Sequence, residues 1–313
     1  MLNFKIMRIN AYKPVFILLL PLCLFCTACA RGDSDIYFSM DNSSSWTNFQ
    51  QVKNLNFDSS SSFSIIKDGD KYKIWKSIQE GMETFFYYSE SDDGINWTDE
   101  VKIIRASDVL SDPWIGNLSV IKDGDHFKMW IGVMILNGSD FTCSTFYSES
   151  NDGKDWGEFI QVIWPRFSDN GLISTVPCSV VKTDGKYRMW SGGFSNSTLG
   201  GIVFSESDDG KLWNDFVSES IDISNFSGLF SVIADAGSYR IWYTYNNSIN
   251  TGESDDGINW KNSKTAVSPG SQGQADTNGA NSPVVINDGG IGKMWYIGTD
   301  SDEKASIIYA ETK

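Results

Sequence analysis

Residues 64–75 read SIIKDGDKYKIW, and variants of this phrase return four times along the chain. Residues 119–130 read SVIKDGDHFKMW, and three further copies end at Trp190, Trp242 and Trp295. The closing Trp therefore recurs at nearly even spacing, at positions 75, 130, 190, 242 and 295. Self-similarity at a period of this length is the sequence signature of a repeat architecture.

A second phrase follows each of the first four copies. Residues 88–97 read YSESDDGINW, and the later copies end at Trp156, Trp213 and Trp260. A degraded copy, from Phe38 to Trp46, precedes the first unit. The chain therefore repeats a two-part unit rather than one short motif.

Each unit predicts four β-strands. The first ends at an Asp-Gly turn, a strong hairpin signal, and the second alternates, with Tyr72 and Ile74 placed between lysines. The third is aromatic, as in residues 85–88, and the Asp-Asp-Gly turn leads into a fourth near residues 97–104. Units of about 50 residues with four strands are typical of propeller blades, and a closed ring protects their edges. The sequence predicts an all-β, five-bladed β-propeller of four-stranded antiparallel blades.

The ends of the chain predict how the ring closes. The fifth unit stops after a third strand at residues 306–310, whereas residues 46–52 supply a fourth-strand phrase with no blade before them. We expect the N- and C-terminal strands to complete one blade together. Residues 36–313 would then form a single propeller domain.

Residues 1–29 have the pattern of an export signal. Basic residues precede an apolar run over 15–25, and small residues follow, which is the order of a secretory signal. The run is short for a bilayer span; a buried N-terminal helix is the alternative. Residues 27–29, Thr-Ala-Cys, resemble a bacterial lipobox, which predicts lipidation of Cys29 and a tether over residues 30–35. The expected protein is a cell-envelope lipoprotein or a secreted protein, held at the membrane through the lipid anchor only.

Composition narrows the partners. The chain has 40 acidic and 25 basic residues and a net charge of −15, which argues against nucleic acid because phosphates need a basic face. His126 is the only histidine, so a Cys/His metal cluster is not expected. Cys143 and Cys178, outside the leader, could form a disulfide or be buried apolar residues. We expect a monomer without a cofactor; structural calcium at the Asp-Gly turns would need about six converging oxygens.

The repeated aspartates predict scaffold rather than chemistry. In a four-stranded blade, the turns between strands one and two and between three and four lie at the same end, so one rim collects Asp68, Asp93, Asp123, Asp209 and Asp256. Asp accepts backbone hydrogen bonds in such turns and Gly supplies a positive φ. Function is expected on the opposite rim, where the units differ.

That opposite rim carries acids, amides and tryptophans. Acids and amides bind hydroxyls, and an indole face can cover a sugar ring, so these loops predict a carbohydrate site; ordinary polar loops are the alternative. The connections between blades hold Asp58, Asp112, Trp114, Trp164, Arg166, Asp169, Asn170, Asp276 and Asn278, and the loops between strands two and three hold Glu83 and Tyr245.

The two phrases together resemble the five-bladed propellers of the arabinanase, levansucrase and invertase superfamily, which includes glycoside hydrolase families 32 and 43. The resemblance covers nearly all of residues 36–313 and implies a glycosidase that uses three funnel carboxylates. It assigns catalysis to Asp58, Asp112, Asp169 and Asp276, with Asp112 and Asp276 as the best-placed pair. The family's inner-strand Glu is absent from residues 225–230, so Glu83, or Glu80 beside it, would substitute as general acid. Substrate would be bound by Trp114, Trp164, Arg166, Asn170, Asn278 and Tyr245.

Other functions remain open on the same fold. A glycan-binding or scaffolding lipoprotein without catalysis is favoured by the missing Glu. The Asp-x-Gly-x-x-Trp turns also resemble the Asp boxes of sialidases, which bind sialate with three arginines, but only Arg105 and Arg166 lie outside the tail and the repeated strand positions. A protein-interaction propeller is a further alternative.

Overall fold

The computed structural model describes residues 45–57, 61–109, 114–137, 140–168, 171–195, 198–214, 230–235, 237–270 and 275–313. Over these residues the chain forms five four-stranded sheets with antiparallel strand pairs, and one short helix, α1 (Ala106–Val109). The strands are, in chain order, β1 (Trp46–Gln51); β2 (Ser62–Asp68), β3 (Lys71–Glu80), β4 (Glu83–Ser91) and β5 (Val101–Arg105) in blade 1; β6 (Trp114–Asp123), β7 (His126–Asn137), β8 (Asp140–Ser150) and β9 (Ile160–Ile163) in blade 2; β10 (Arg166–Ser168), β11 (Gly171–Thr183), β12 (Lys186–Ser195) and β13 (Thr198–Ser207) in blade 3; β14 (Phe230–Asp235), β15 (Ser238–Tyr245), β16 (Ser248–Ser254) and β17 (Lys261–Val267) in blade 4; and β18 (Gly279–Asp288), β19 (Ile291–Thr299) and β20 (Ala305–Thr312) in blade 5.

The ring closes as the sequence predicts. Strand β1 pairs with β20, from Trp46 opposite Thr312 to Gln51 opposite Ile308, and completes a sheet of order β1-β20-β19-β18. The innermost repeated strands β2, β6, β11, β14 and β18 contact one another in succession, and β18 contacts β2. The protein is therefore a five-bladed β-propeller closed by its N- and C-terminal strands.

Repeated serines join the inner strands. The Ser179 hydroxyl accepts a hydrogen bond from the Val232 backbone N–H at 2.9 Å and donates to the Val232 carbonyl at 3.3 Å. Equivalent serines accept from the next blade's backbone at the other three seams of this kind: Ser64 from Val120 at 3.0 Å, Ser119 from Val180 at 3.3 Å and Ser231 from Val285 at 3.1 Å. Val284 occupies this position in blade 5, opposite Trp295, so the described part of the closing seam has no such serine.

The repeated Trp and Gly form a clasp between blades. Trp75 is fully buried, and its indole N–H donates to the Gly153 carbonyl of blade 2 at 2.6 Å. The same carbonyl accepts from Trp156 of its own turn at 3.1 Å. Equivalent indole bonds reach the next blade from Trp130 to Gly210, Trp190 to Gly257 and Trp295 to Gly94. Trp97 bonds within its turn to Gly94, and the fourth strand, β5, begins at Val101 rather than at Trp97.

The third blade departs from the expected repeat. Strand β10 pairs with the start of β11, Arg166 opposite Ile173, so the described sheet has the order β10-β11-β12-β13. The sequence predicts a plain loop over residues 164–170, and that prediction is wrong for residues 166–168. Trp130 and Trp190 are the most widely separated pair of successive repeat tryptophans, and part of the extra length forms a hairpin on the inner edge of the blade.

Several predictions fall on other parts of the chain. The export signal, Cys29, the tether and residues 36–44 lie outside the described residues. Within the described ranges, no helix is long and apolar enough to cross a membrane. Cys143 is buried in the core beside Val176 and Met134, and the Cys178 side chain is not described.

Candidate functional site

The two ends of the propeller differ in character. The Asp-Gly rim is the end formed by the turns between strands one and two and between strands three and four. The variable rim is the opposite end, formed by the turns between strands two and three and by the connections between blades. In blade 1, two ion pairs join the fourth strand to the turn between strands two and three. Lys102 and Arg105 of β5 pair with Glu80 and Glu83 at the β3–β4 turn.

The Asp-Gly rim satisfies its own aspartates. The Asp93 carboxylate accepts hydrogen bonds from the backbone N–H groups of Ile95 at 2.8 Å and Asn96 at 2.7 Å. Although burial would raise its pKa, these bonds lower the pKa of Asp93 to about 2. Among the described residues, ion pairs also cross three seams: Asp68 with Lys122, Asp123 with Lys182 and Asp288 with Lys67. These groups stabilise turns and seams, so a ligand site is expected at the variable rim instead.

Glu83 lies at the variable rim in a fixed contact. Arg105 donates to Glu83 Oε2 from Nε at 2.9 Å and from Nη2 at 2.7 Å, and the Ser107 backbone N–H donates to Oε1 at 3.3 Å. The hydrogen bonds from Arg105 and Ser107 lower the pKa of Glu83. Hydrogen bonds from Tyr87 and Lys102 likewise lower the pKa of Glu80. A general acid needs a raised pKa, so the contacts of both glutamates favour the ionised form instead.

Asp276 is placed inside the wall of the ring. It has no exposed surface, and the Tyr296 hydroxyl donates to its Oδ2 at 2.8 Å. The pKa of Tyr296 is raised, first by burial and second by the hydrogen bond to Asp276. The loop carrying Asp276 is further held by a 2.8 Å bond from the Asn278 N–H to the Thr299 carbonyl. Asp276 therefore fastens the loop before β18, and a catalytic role for it stays a prediction.

A buried ion pair at blade 1 has no counterpart in the sequence predictions. Lys76 pairs with Glu100, both side chains are almost fully buried, and Lys76 also donates to the Asn56 carbonyl. Lys76 and Tyr296 each follow the repeated Trp of strand two, and each binds a carboxyl group. Blade 2 has buried Ile131 at the same position after its Trp. A polar residue directly after the repeated Trp is therefore the sequence feature that could have predicted both contacts.

The aromatic and basic candidates are only partly described. Trp164 precedes β10 with 57% of its surface exposed, a large value for this residue. Trp114 and Arg166 begin β6 and β10, but their side chains are not described. The remaining candidates Asp58, Asp112, Asp169 and Asn170 lie outside the described residues. The structure thus leaves Trp164 as the exposed aromatic surface of this side of the ring, over the part of the chain it describes.

Tyr245 and Asn278 both lie near the seam between blades 4 and 5. Tyr245 ends β15, is half-buried and packs on the core, and it directly precedes an Asn-Asn turn. The backbone of that turn bonds to the strand that follows Asn278, through Ala280 N–H to the Asn247 carbonyl at 2.8 Å. The sequence predicts a role for Asn278 but not for Asn247. The doubled asparagine of the β15–β16 turn is the sequence feature that could have indicated Asn247.

No described group of three or more His, Cys, Asp or Glu side chains is arranged to hold a metal ion. The described part of the variable rim offers hydrogen bonding, ion pairing and aromatic contact. Those are the interactions that orient a polar ligand in a protein site.

Solved structures share the fold. An exo-1,5-α-L-arabinanase from a bovine ruminal metagenomic library superposes with a TM-score of 0.59 at 11% identity, covering 84% of this chain and 93% of its own. A GH32 β-fructofuranosidase of Bombyx mori gives a TM-score of 0.55 at 13% identity, over 77% of this chain and 57% of its own. An N-acetylgalactosamine deacetylase from F. plautii, in complex with blood group B trisaccharide, gives 0.60 at 15% identity, over 89% of this chain and 93% of its own.

No protein-family model and no curated protein sequence matches the chain. The fold is that of the five-bladed propellers found in glycoside hydrolases such as the arabinanase and the fructofuranosidase, which confirms the resemblance noted in the sequence. Identities this low carry the fold alone, and function must be argued from the site.

Proposed function

We propose that the chain is an exported glycan-acting protein of the glycoside hydrolase type, which binds a carbohydrate at the variable rim. The observation that carries this proposal is the shared five-bladed fold, whose solved examples include enzymes named for arabinan and fructoside cleavage. The exposed Trp164 and the amides near Asn278 supply surfaces suited to sugar rings and hydroxyls.

Hydrolysis would rest on carboxylates from different blades. Glycosidases need two carboxyl groups about 5 to 10 Å apart with pKa values driven apart. Asp58, Asp112, Asp169 and Asp276 are the proposed catalytic carboxylates. The contacts of Glu83 suit a base or a positioning residue better than an acid.

The experiment is a turnover assay on aryl arabinofuranosides, xylosides, fructosides and the matching polysaccharides. Asp112→Asn should abolish turnover, whereas Asp108→Asn, an exposed acid of α1 in the same connection, should retain it. Equal turnover in the wild type and in Asp112→Asn would remove the hydrolase proposal.

Glycan binding without hydrolysis is the second candidate. It is favoured because three described carboxyl groups of the variable rim are each held by a neighbouring cation or hydroxyl: Glu80, Glu83 and Asp276. In this case Trp164→Ala and Trp114→Ala should weaken binding on a glycan array while no substrate is turned over. An array that stays blank with the wild type would reject this candidate.

Export and lipidation form a separate part of the proposal. Metabolic labelling with a fatty acid should mark the wild type and not Cys29→Ala, and detergent phase partitioning should follow the label. A labelled Cys29→Ala protein, or an unlabelled wild type in a lipoprotein-processing bacterial host, would contradict the anchor.

A further inference from the structure

Four asparagines lie at the seam between blades 4 and 5, on the variable rim. Asn246 and Asn247 form the two-residue turn between β15 and β16, and Asn278 and Asn281 flank the start of β18. These four residues are called the amide cluster below. Three of them are exposed, and Asn281 is half-buried.

The cluster is held together by the backbone. Both turn residues have positive φ, 49° at Asn246 and 57° at Asn247, as a two-residue hairpin turn requires. The Asn247 carbonyl accepts the Ala280 N–H at 2.8 Å. A Cβ atom at Gly279 would lie 2.7 Å from Asn281 Nδ2 and 3.6 Å from Asn247 Cβ. Gly279 therefore leaves the space in which side chains from both blades meet.

The side-chain amides of the cluster are uncommitted. None of the four has a hydrogen-bond partner within the described ranges, whereas Asn54 donates to the Trp97 carbonyl at 3.1 Å. An amide offers one acceptor and two donors, so the cluster presents several of each on one surface. Such groups bind either water or a ligand that alternates donors and acceptors.

A strained residue lies next to the cluster. Ser282 has φ +56°, which is unusual for a residue other than glycine, and it sits at a register shift in β18 between Asn281 and Val284. Its backbone N–H donates to Thr244 Oγ1 at 3.0 Å. Its own hydroxyl is buried and has no partner among the described residues. Strain and unpaired polar groups concentrate at binding sites, where the ligand compensates them.

We propose that the amide cluster, backed by Ser282, is a subsite for the hydroxyl groups of a neutral saccharide. Amides match vicinal hydroxyls as donors and acceptors, and because they are uncharged they select a neutral sugar over an acidic one. The half-buried Tyr245, directly before the turn, supplies an apolar edge for the ring. This subsite rests on the proposed function and specifies where on the variable rim the glycan lies.

The test compares matched asparagine variants. Wild type is screened on neutral arabinan, xylan and fructan oligosaccharides and on acidic polygalacturonate oligosaccharides, and Kd is measured by calorimetry for the best binder. Asn246→Ala with Asn278→Ala should raise Kd about tenfold or more. The control is Asn151→Ala with Asn214→Ala, two exposed asparagines of the opposite side of blades 2 and 3, and it should leave Kd unchanged.

Two further variants separate binding from folding. Gly279→Ala removes no polar group but crowds Asn281, so it should weaken binding while the melting temperature changes little. Ser282→Gly fits the positive φ, so it should keep or raise the melting temperature and still weaken binding.

Each outcome decides the inference. A wild type that binds neutral sugar and a double variant that binds equally well would overturn the subsite and leave the proposed function standing. Preference for the acidic oligosaccharides would overturn the neutral class. A wild type that binds and hydrolyses no glycan would overturn both.

Discussion

Replacing Gly153 by Ala should destabilise the protein by about 3 to 4 kcal/mol, since two costs combine. The residue has φ +78°, which costs an alanine about 1 to 2 kcal/mol. The new Cβ would lie 2.7 Å from Cζ2 of Trp75, a fully buried ring that cannot yield freely. Displacing the Gly153 carbonyl would weaken its bonds from Trp75 and Trp156, at about 1 kcal/mol each.

The assay is urea denaturation followed by tryptophan fluorescence, which gives the free energy of unfolding by linear extrapolation. Gly124→Ala in the same blade is the control, because Gly124 also has a positive φ, +60°, but no atom lies within 4 Å of its added Cβ. It should cost only the backbone term, about 1 kcal/mol. Equal losses in the two variants would refute the clasp as a source of stability.

Three further predictions concern the seams and the buried carboxyl. Burial would raise the pKa of Asp123, but hydrogen bonds from neighbouring cations and a tyrosine hold it at about 2; its stabilisation is therefore complete above the unfolded pKa near 4 and is lost as pH falls towards 2. In urea titrations, the wild type should lose about 2 kcal/mol more unfolding free energy between pH 6 and pH 2.5 than Asp123→Asn does. An equal loss in the two proteins would contradict the seam ion pair. Ser179→Ala should cost about 1 kcal/mol of unfolding free energy, because the Val232 N–H loses its acceptor; no change in the urea midpoint would show that water replaces the hydroxyl. Tyr296→Phe should lower the melting temperature, at a cost of about 1 to 3 kcal/mol, by removing a donor from buried Asp276, and calorimetry showing a wild-type transition would remove the fastening role of that contact.

The architecture was predictable because its signals are local. The Asp-Gly turns and the repeated Trp occur at fixed spacing within each unit, and the structure places them at equivalent positions. The hairpin of β10 and β11 could not be read in the same way. Its residues 164–170 include Pro165 and several polar side chains, and its pairing is decided by the inner edge of blade 3 rather than by a pattern of its own.

The site was less accessible because its contacts join distant strands. Glu83 meets Arg105 across 22 positions and Asp276 meets Tyr296 across 20, and nothing in either local sequence names the partner. The amide cluster likewise requires blade 4 to be docked on blade 5. The sequence could indicate the rim and the residue types, while the pairing of those residues depends on the closed ring.

The closing strand has a consequence for how the protein folds. At the contact between Thr47 and Glu311 the two partners are 264 positions apart, so blade 5 cannot form until residues 305–312 have left the ribosome. Contacts of such long range slow folding because loop-closure entropy must be overcome before they stabilise the chain. The closing seam, between blades 5 and 1, is also the one where Val284 replaces the bridging serine. Blade 5 is therefore expected to be the last part of the ring to form.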